Sequence, residues 1–190
     1  MATRSVPAGI NNELDESVVK PYYAVDLDFV DSNNNAAPVY LWTGVGDLSV
    51  GGNTYLGLGG LLEISRTQET SDLSVQGTRI TASGLDPNIL ATAITNKYHG
   101  RDCTLYFGVL DDNNNPTQVE LFSGFMDVMT IQEDAESATI ELTVENKLIK
   151  LEVPSNIRYT SAYQKSKHPG DLGLDYVEAL QNRRILWGKT

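Results

Sequence analysis

The sequence predicts a mainly β protein, an antiparallel β-sandwich or barrel with one or two helices packed on it and a C-terminal helical arm. About nine short segments alternate apolar and polar residues, the pattern of strands with one buried face. Turns rich in Asn, Asp and Gly separate them. The composition changes near residue 153, which predicts a β-domain over residues 1–153 and an arm over residues 154–190 that docks on neighbouring subunits.

The clearest pattern is the stretch Leu121–Leu151, which predicts a long antiparallel hairpin closed by the polar residues 133–137. In its first half, alternation places Met129 and Ile131 on one face and Met126 on the other. In its second half, the apolar residues Ala138, Ile140, Leu142 and Val144 alternate with Thr139, Glu141, Thr143 and Glu145. One face is therefore expected to pack on a core and the other to face solvent or a partner.

The remaining elements follow from local signals. A helix over Pro7–Glu16 is predicted with Ile10 and Leu14 as an apolar pair. Asp86 and Pro87 begin a second helix that Gly100 ends, with an apolar stripe of Ile89, Leu90, Ala93, Ile94, Lys97 and Tyr98. A third helix is predicted over Asp171–Asn182. The other strands are expected at Tyr23–Phe29, Val39–Thr43, Asp47–Val50, Thr54–Leu56, Leu61–Thr67, Leu73–Ser83 and Cys103–Leu110.

Two stretches of the chain repeat at an offset of 80 residues. Residues 30–44 and 110–124 each contain an Asp-led, Asn-rich turn, an apolar strand and then a glycine, and an aspartate follows three residues later in both. The pattern is explained either by chance or by two similar hairpins in one fold.

Charge is unevenly distributed along the 190 residues, whose net charge is −11. Residues 1–150 hold 21 acidic and 8 basic side chains, whereas residues 151–190 hold 4 and 6. An acidic body argues against gripping nucleic acid by its phosphates. The basic segment is expected to dock on an acidic neighbour and to bury its aromatic residues, Tyr159, Tyr163, Tyr176 and Trp187.

No set of residues with catalytic spacing is present, so the protein is predicted not to be an enzyme and to use no cofactor or metal. Cys103 lies in an apolar run and is interpreted as a core thiol. His99 and His168 are interpreted as a helix-end residue and a loop residue. Calcium in the turns at Asp31 and Asp111 is the less favoured alternative to plain turn chemistry. No apolar run approaches 18 residues, which predicts no membrane span, and the N-terminus lacks a secretory signal, so synthesis in a cytoplasm is expected.

The order of several motifs resembles a family of tailed-bacteriophage tail-tip proteins, the distal tail and baseplate-hub proteins, including hub proteins of gene-transfer agents. The segments that carry the resemblance are Val39–Leu48, Gly52–Gly59, Leu121–Asp127, Arg158–Gln164, His168–Gly173 and Leu186–Gly188. The Cys-bearing C-terminal part of some hub relatives is missing, which leaves open a hub or a distal tail position.

The resemblance implies a fold related to the tail tube and a place in the virion tail. It also implies closed rings, trimers or hexamers, that contact the tube protein, other tip or hub proteins and the tape measure protein, and through which DNA passes without specific binding. In such a ring, Glu141 and Glu145 are expected to line the lumen or a subunit seam. An acidic lumen would repel the DNA backbone.

Two other functions remain as alternatives. A carbohydrate-binding module for host recognition would stack sugars on Tyr40, Trp42 and Tyr55, which should then be exposed. A cell-wall hydrolase would use Asp26, Asp28 or Asp127 as acid and base.

Overall fold

The computed structural model describes residues 6–59, 62–65, 77–83, 87–133, 138–152, 157–180, 183 and 188. The chain divides into two compact units, Met1–Lys150 and Leu151–Thr190. We refer to them as the sheet unit and the arm, and we describe each by itself.

The described strands of the sheet unit form one nine-stranded sheet, which confirms the prediction of a mainly β protein. The strands are β1 Lys20–Leu27, β2 Val39–Trp42, β3 Asp47–Val50, β4 Asn53–Gly57, β5 Leu62–Ile64, β6 Gly77–Ser83, β7 Asp102–Leu110, β8 Pro116–Glu133 and β9 Ala138–Asn146. Their spatial order is β3-β4-β2-β1-β7-β8-β9-β6-β5. The expectation of an entirely antiparallel sheet is wrong at one place, because the chain leaves β2, returns through β3 and so lays β4 parallel to β2.

The helices are short: α1 Ala8–Leu14, α2 Pro87–Thr95, α3 Ile149–Glu152, α4 Ser161–Lys167 and α5 Val177–Leu180. In α1, Ile10 is buried but Leu14 is half exposed, so the predicted apolar pair does not form a joint core contact. The second predicted helix ends at Thr95, well before Gly100. The reason is that Lys97 exchanges both of its backbone hydrogen bonds with Val30 instead of continuing the helix. Asp86 lies outside the described residues.

The sheet buries side chains on both of its faces around β1. Val25 and Leu27 point into a main core, together with residues of β2, β6, β7, β8, β9 and α2. Tyr22 and Ala24, on the opposite face of the strand, point into a second core that also contains Trp42, Leu48 and Tyr55. Since successive side chains of a strand alternate between faces, β1 must be covered on both sides.

The long hairpin predicted at Leu121–Leu151 is confirmed as β8 and β9, although its loop lies outside the described residues. Ile140, Leu142 and Val144 are buried, as their alternation predicts. The predicted facing of Met126 is wrong. The register of β8 against β9 shifts between Met126 and Met129, and this bulge brings both methionines to the main core.

The two repeated turns have the same conformation. Asn34 and Asn114 both adopt a positive φ, of 65° and 61°. In each turn the aspartate, Asp31 or Asp111, accepts hydrogen bonds from the backbone and side-chain nitrogens of the asparagine four residues later. The repeat therefore corresponds to two equivalent hairpins, β1–β2 and β7–β8, which lie side by side in the sheet.

In the arm, the structure differs from the sequence prediction at both helices. Helix α4 was not predicted, and Thr160 begins it by accepting a hydrogen bond from the Tyr163 backbone nitrogen. Of the helix predicted over Asp171–Asn182, the described residues contain only the four of α5, and residues 181 and 182 lie outside the described ranges. Asp171 instead accepts a hydrogen bond from the Gly173 backbone nitrogen, which makes a turn where the helix was expected to begin.

Candidate assembly surfaces

The outward side of β9, β6 and β5 forms a surface of threonines and charged residues, which we call the polar face. Its residues alternate along β9 with the buried Ile140, Leu142 and Val144, so they point away from the main core. Strand pairing sets Glu63, Thr81 and Glu141 in one row across three strands. The full set is Glu63, Arg79, Thr81, Ser83, Thr139, Glu141, Thr143 and Glu145.

The charges on the polar face and at its border with β8 nearly balance. Arg79 lies 3.3 Å from the Glu141 carboxylate. Glu145 is paired in register with Phe125, over whose ring the Lys150 ammonium group sits at 4.1 Å. Phe125 is in turn paired with Asp102, which lies 3.8 Å from the Lys147 ammonium group. The polar face itself carries three acidic side chains and one basic one, and the residues at its border bring the total to four acidic and three basic. Arg79, Lys147 and Lys150 therefore offset most of the negative charge in this region.

The four aromatic residues predicted to form an interface in the arm are not equivalent. Tyr159 is 82% exposed and Tyr176 is 74% exposed. Tyr163 is half buried, and its backbone nitrogen is used by the cap of α4. Trp187 lies outside the described residues. None of the described side chains of residues 157–180 is buried.

Polar contacts between α4 and the loop that follows it organise the arm. Asp175 accepts hydrogen bonds from the Ser161 hydroxyl and from the Lys165 ammonium group, the latter at 2.6 Å. Asp171 accepts one from the Gln164 side-chain nitrogen at 2.6 Å. These donors lower the pKa of both aspartates, with Lys165 the largest cause for Asp175 and the Gly173 backbone for Asp171. The sequence analysis did not predict this network. Two local signals could have indicated it, namely Thr160 as a helix cap and the turn formed by Asp171 and Gly173.

The second core contains a half-buried carboxylate among tyrosines. The hydroxyls of Tyr55 and Tyr106 hydrogen-bond to Asp26, whereas its Oδ1 is buried and has no hydrogen-bond partner among the described residues. Burial is the largest cause of a raised pKa for Asp26, with the charge of Asp28 adding to it. Burial also raises the pKa of Tyr22, which donates to Gln118, to about 12.

The aromatic residues predicted for sugar stacking lie in this second core. Trp42 is 6% exposed and Tyr55 is 1% exposed, and the Tyr55 ring packs at 5.4 Å from the ring of Tyr40. Side chains this buried have no face free for a sugar. This prediction of the carbohydrate-binding alternative is therefore wrong.

The other residues that were considered for catalysis or metal binding take part in packing or in local hydrogen bonds. Cys103 is fully buried in the main core, and burial raises the pKa of its thiol. His99 lies 3.1 Å from the Asp127 carbonyl oxygen on the exposed surface. Both carboxylate oxygens of Asp31 and of Asp111 accept bonds within their own turns. Among the described residues, no group of three His, Cys, Asp or Glu side chains is placed to hold a metal.

No family model matches the sequence, and no curated protein matches it. Solved structures do. A chain in the virion of a native gene transfer agent particle superposes with a TM-score of 0.53 at 14% sequence identity, covering 81% of this chain and 49% of that one. Chains of a Francisella PdpA-VgrG complex, in its lidded and half-lidded forms, give TM-scores of 0.39 and 0.41 at 11% and 9% identity. They cover 74% and 76% of this chain and 18% and 20% of theirs.

These likenesses concern the fold. The chain has the fold of part of a gene transfer agent virion protein and spans about half the length of that protein. No helix in the described ranges is long and apolar enough to cross a membrane.

Proposed function

We propose that this protein is a structural subunit of a bacteriophage-type virion tail, at the tail tip, where copies close into a ring of three or six. The observation that carries the proposal is the shared fold with a chain of a gene transfer agent virion. The motif order that resembles distal tail and hub proteins supports the same position. In this role the ring joins the tail tube to other tip proteins and the tape measure protein, and DNA passes through it without specific binding.

The sheet unit has a surface that suits ring formation. The polar face is half exposed and carries Glu141 and Glu145. We place these residues at a subunit seam rather than along the channel, because Arg79 pairs with Glu141 and the lysines at the border with β8 offset part of the remaining negative charge. The sheet ends at β3 and β5, and a closed ring also removes the need to guard such strand edges.

A structural role also fits the chemistry of the buried groups. The thiol of Cys103 is enclosed in the main core, and the half-buried carboxylate of Asp26 is hydrogen-bonded to two tyrosines. We therefore propose that the protein is not an enzyme. A cell-wall hydrolase would clear a peptidoglycan zymogram, and we expect no clearing.

Electron microscopy of the purified full chain tests the proposal. We expect closed rings with an open centre. Monomers at all concentrations, or open filaments, would contradict it.

A further inference from the structure

The arm has an unusual distribution of polar and apolar side chains. Five of its polar side chains are paired with one another: Ser161, Lys165 and Asp175 form one cluster and Gln164 with Asp171 another. Several large apolar side chains are exposed instead, among them Ile157, Tyr159, Leu172, Tyr176, Val177 and Leu180. So many exposed apolar side chains on a small unit are typical of a surface that a partner covers.

The internal contacts give this surface a fixed shape before any partner binds. Asp175 ties the loop before α5 to α4 at two points, Ser161 and Lys165. Tyr176 follows Asp175 directly, and Tyr159 directly precedes the capping Thr160. Both tyrosines are therefore held next to anchored positions, which reduces the entropy lost when they are buried in an interface.

Charge indicates which partner the surface fits. The arm carries 6 basic and 4 acidic side chains, and Asp171 and Asp175 are engaged within it. The exposed Arg158 adjoins Tyr159 in the chain. The sheet unit holds 21 acidic and 8 basic side chains, so it is the complementary surface that every copy of this chain supplies.

We propose that the arm is a docking module whose exposed side chains Tyr159, Tyr176 and Arg158 bind the acidic sheet unit of a second copy of this chain. The inference rests on the proposed ring-forming function and adds to it the residues that link one subunit to the next. Asp175 is the positioning residue of the module.

The test compares full-length variants by light scattering over a range of concentrations. We expect Tyr159→Ser combined with Tyr176→Ser to raise the apparent dissociation constant of the assembly at least about tenfold, because large aromatic anchors carry most interface energy. Arg158→Glu should also weaken assembly, and it should reduce the effect of added salt. Asp175→Asn should weaken assembly while every tyrosine is retained.

The matched control is Val45→Ser combined with Ile94→Ser, which removes two exposed apolar side chains of the sheet unit, in the loop between β2 and β3 and in α2, and leaves all of its acidic side chains in place. It should change the dissociation constant by no more than about twofold. Wild-type assembly with an unaffected tyrosine variant would overturn the docking proposal and leave the ring intact. A wild-type chain that stays monomeric would overturn both.

Discussion

The two repeated hairpins begin alike and end differently. Val25 of β1 and Leu105 of β7 are equivalent by the 80-residue offset, they pair directly with each other, and both are fully buried. The Asp-Asn turns that follow the two strands share their φ values and hydrogen bonds. Beyond the turns, β2 stops after four residues, whereas β8 continues for 18.

The difference decides what happens to one side of the sheet. After β2 the chain folds back through β3 and β4, and Leu48 and Tyr55 from these strands help to cover the second core. After β8 it continues through a bulge into β9, and the outward side of β9 and β6 remains polar and half exposed. The first hairpin thus continues into strands that complete the second core, whereas the second continues into the polar face that we propose as a subunit seam.

The largest expected effect concerns the equivalent glycines Gly44 and Gly124. A methyl group at Gly124 would lie 2.1 Å from the Glu145 carbonyl oxygen, and one at Gly44 would lie 2.0 Å from the Trp42 ring. Gly124→Ala should cost about 3 kcal/mol or more of unfolding free energy, since a paired strand cannot move aside. Gly44→Ala should cost less but still destabilise the second core, because the clash is with the buried Trp42 side chain rather than with backbone. Denaturant unfolding of both variants gives the order, and equal losses would contradict it.

The next largest effect is expected on the polar face, the side of the second hairpin that none of the described strands covers. Arg79→Glu places two carboxylates where an ion pair now lies 3.3 Å apart on the polar face, and we expect it to weaken assembly by about tenfold or more in dissociation constant. Combining it with Glu141→Arg restores the opposite charges and should recover most of the loss. Light scattering measures both. Failure of the double variant to recover any assembly would show that this pair does not lie at the seam.

A smaller effect on stability is expected at Asp26, whose equivalent by the 80-residue offset is Tyr106. Burial raises the pKa of Asp26 in the folded chain, so the folded state disfavours the ionised carboxylate and gains stability as the pH falls through that pKa. Asp26→Asn should therefore melt no lower than the wild type at pH 7. The difference between the two should shrink as the pH falls towards the usual aspartate pKa of 3.8.

Tyr106→Phe is the companion variant, since it removes a hydroxyl that hydrogen-bonds to Asp26. It should lower the melting temperature at pH 7. A large loss in Asp26→Asn, equal to or above that of Tyr106→Phe, would mean that the ionised carboxylate stabilises the second core.

The smallest expected difference is between the two turns. Hydrogen bonds from Asn35 and Asn115 lower the pKa values of Asp31 and Asp111. The stability that these carboxylates contribute is present above their unfolded pKa and is lost as the pH falls through the lower folded values. Asp31→Ala and Asp111→Ala should thus lower the melting temperature by similar small amounts at pH 7, and neither should do so in strong acid. Unequal decreases in melting temperature at neutral pH would show that the two turns do not contribute equally to stability.

Local patterns predicted the parts of the molecule that depend on neighbours in sequence. Strict alternation located β9 and its buried face, and the Asn-rich turns revealed the repeat before any contact was known. Such patterns could not predict which face of the sheet Met126 occupies, since a bulge depends on pairing with another strand. They also could not predict the end of α2, because Lys97 forms its backbone hydrogen bonds with Val30, which is distant in sequence.

The candidate surfaces could be predicted only in part, because they also depend on contacts between residues that are distant in sequence. The interface role of Tyr159 and Tyr176 stays a prediction. The cluster around Asp175 joins residues that no periodicity links, so the sequence pattern could not predict it. The balance of charge on the polar face depends on Arg79, which sequence alone does not place beside Glu141. The burial of Trp42 and Tyr55 depends on β3 and β4, which place Leu48 and Tyr55 in the second core beside Trp42.

The polar face as a subunit seam is the central claim, and thiol labelling tests it most directly. Cys103 is fully buried, so Thr143→Cys adds a single accessible thiol at the centre of this face. The variant should react quickly with a maleimide reagent as a dissociated subunit and slowly in the assembled particle, while Ile94→Cys should react quickly in both. Equal labelling of Thr143→Cys in the two states would show that the polar face stays open in the assembly.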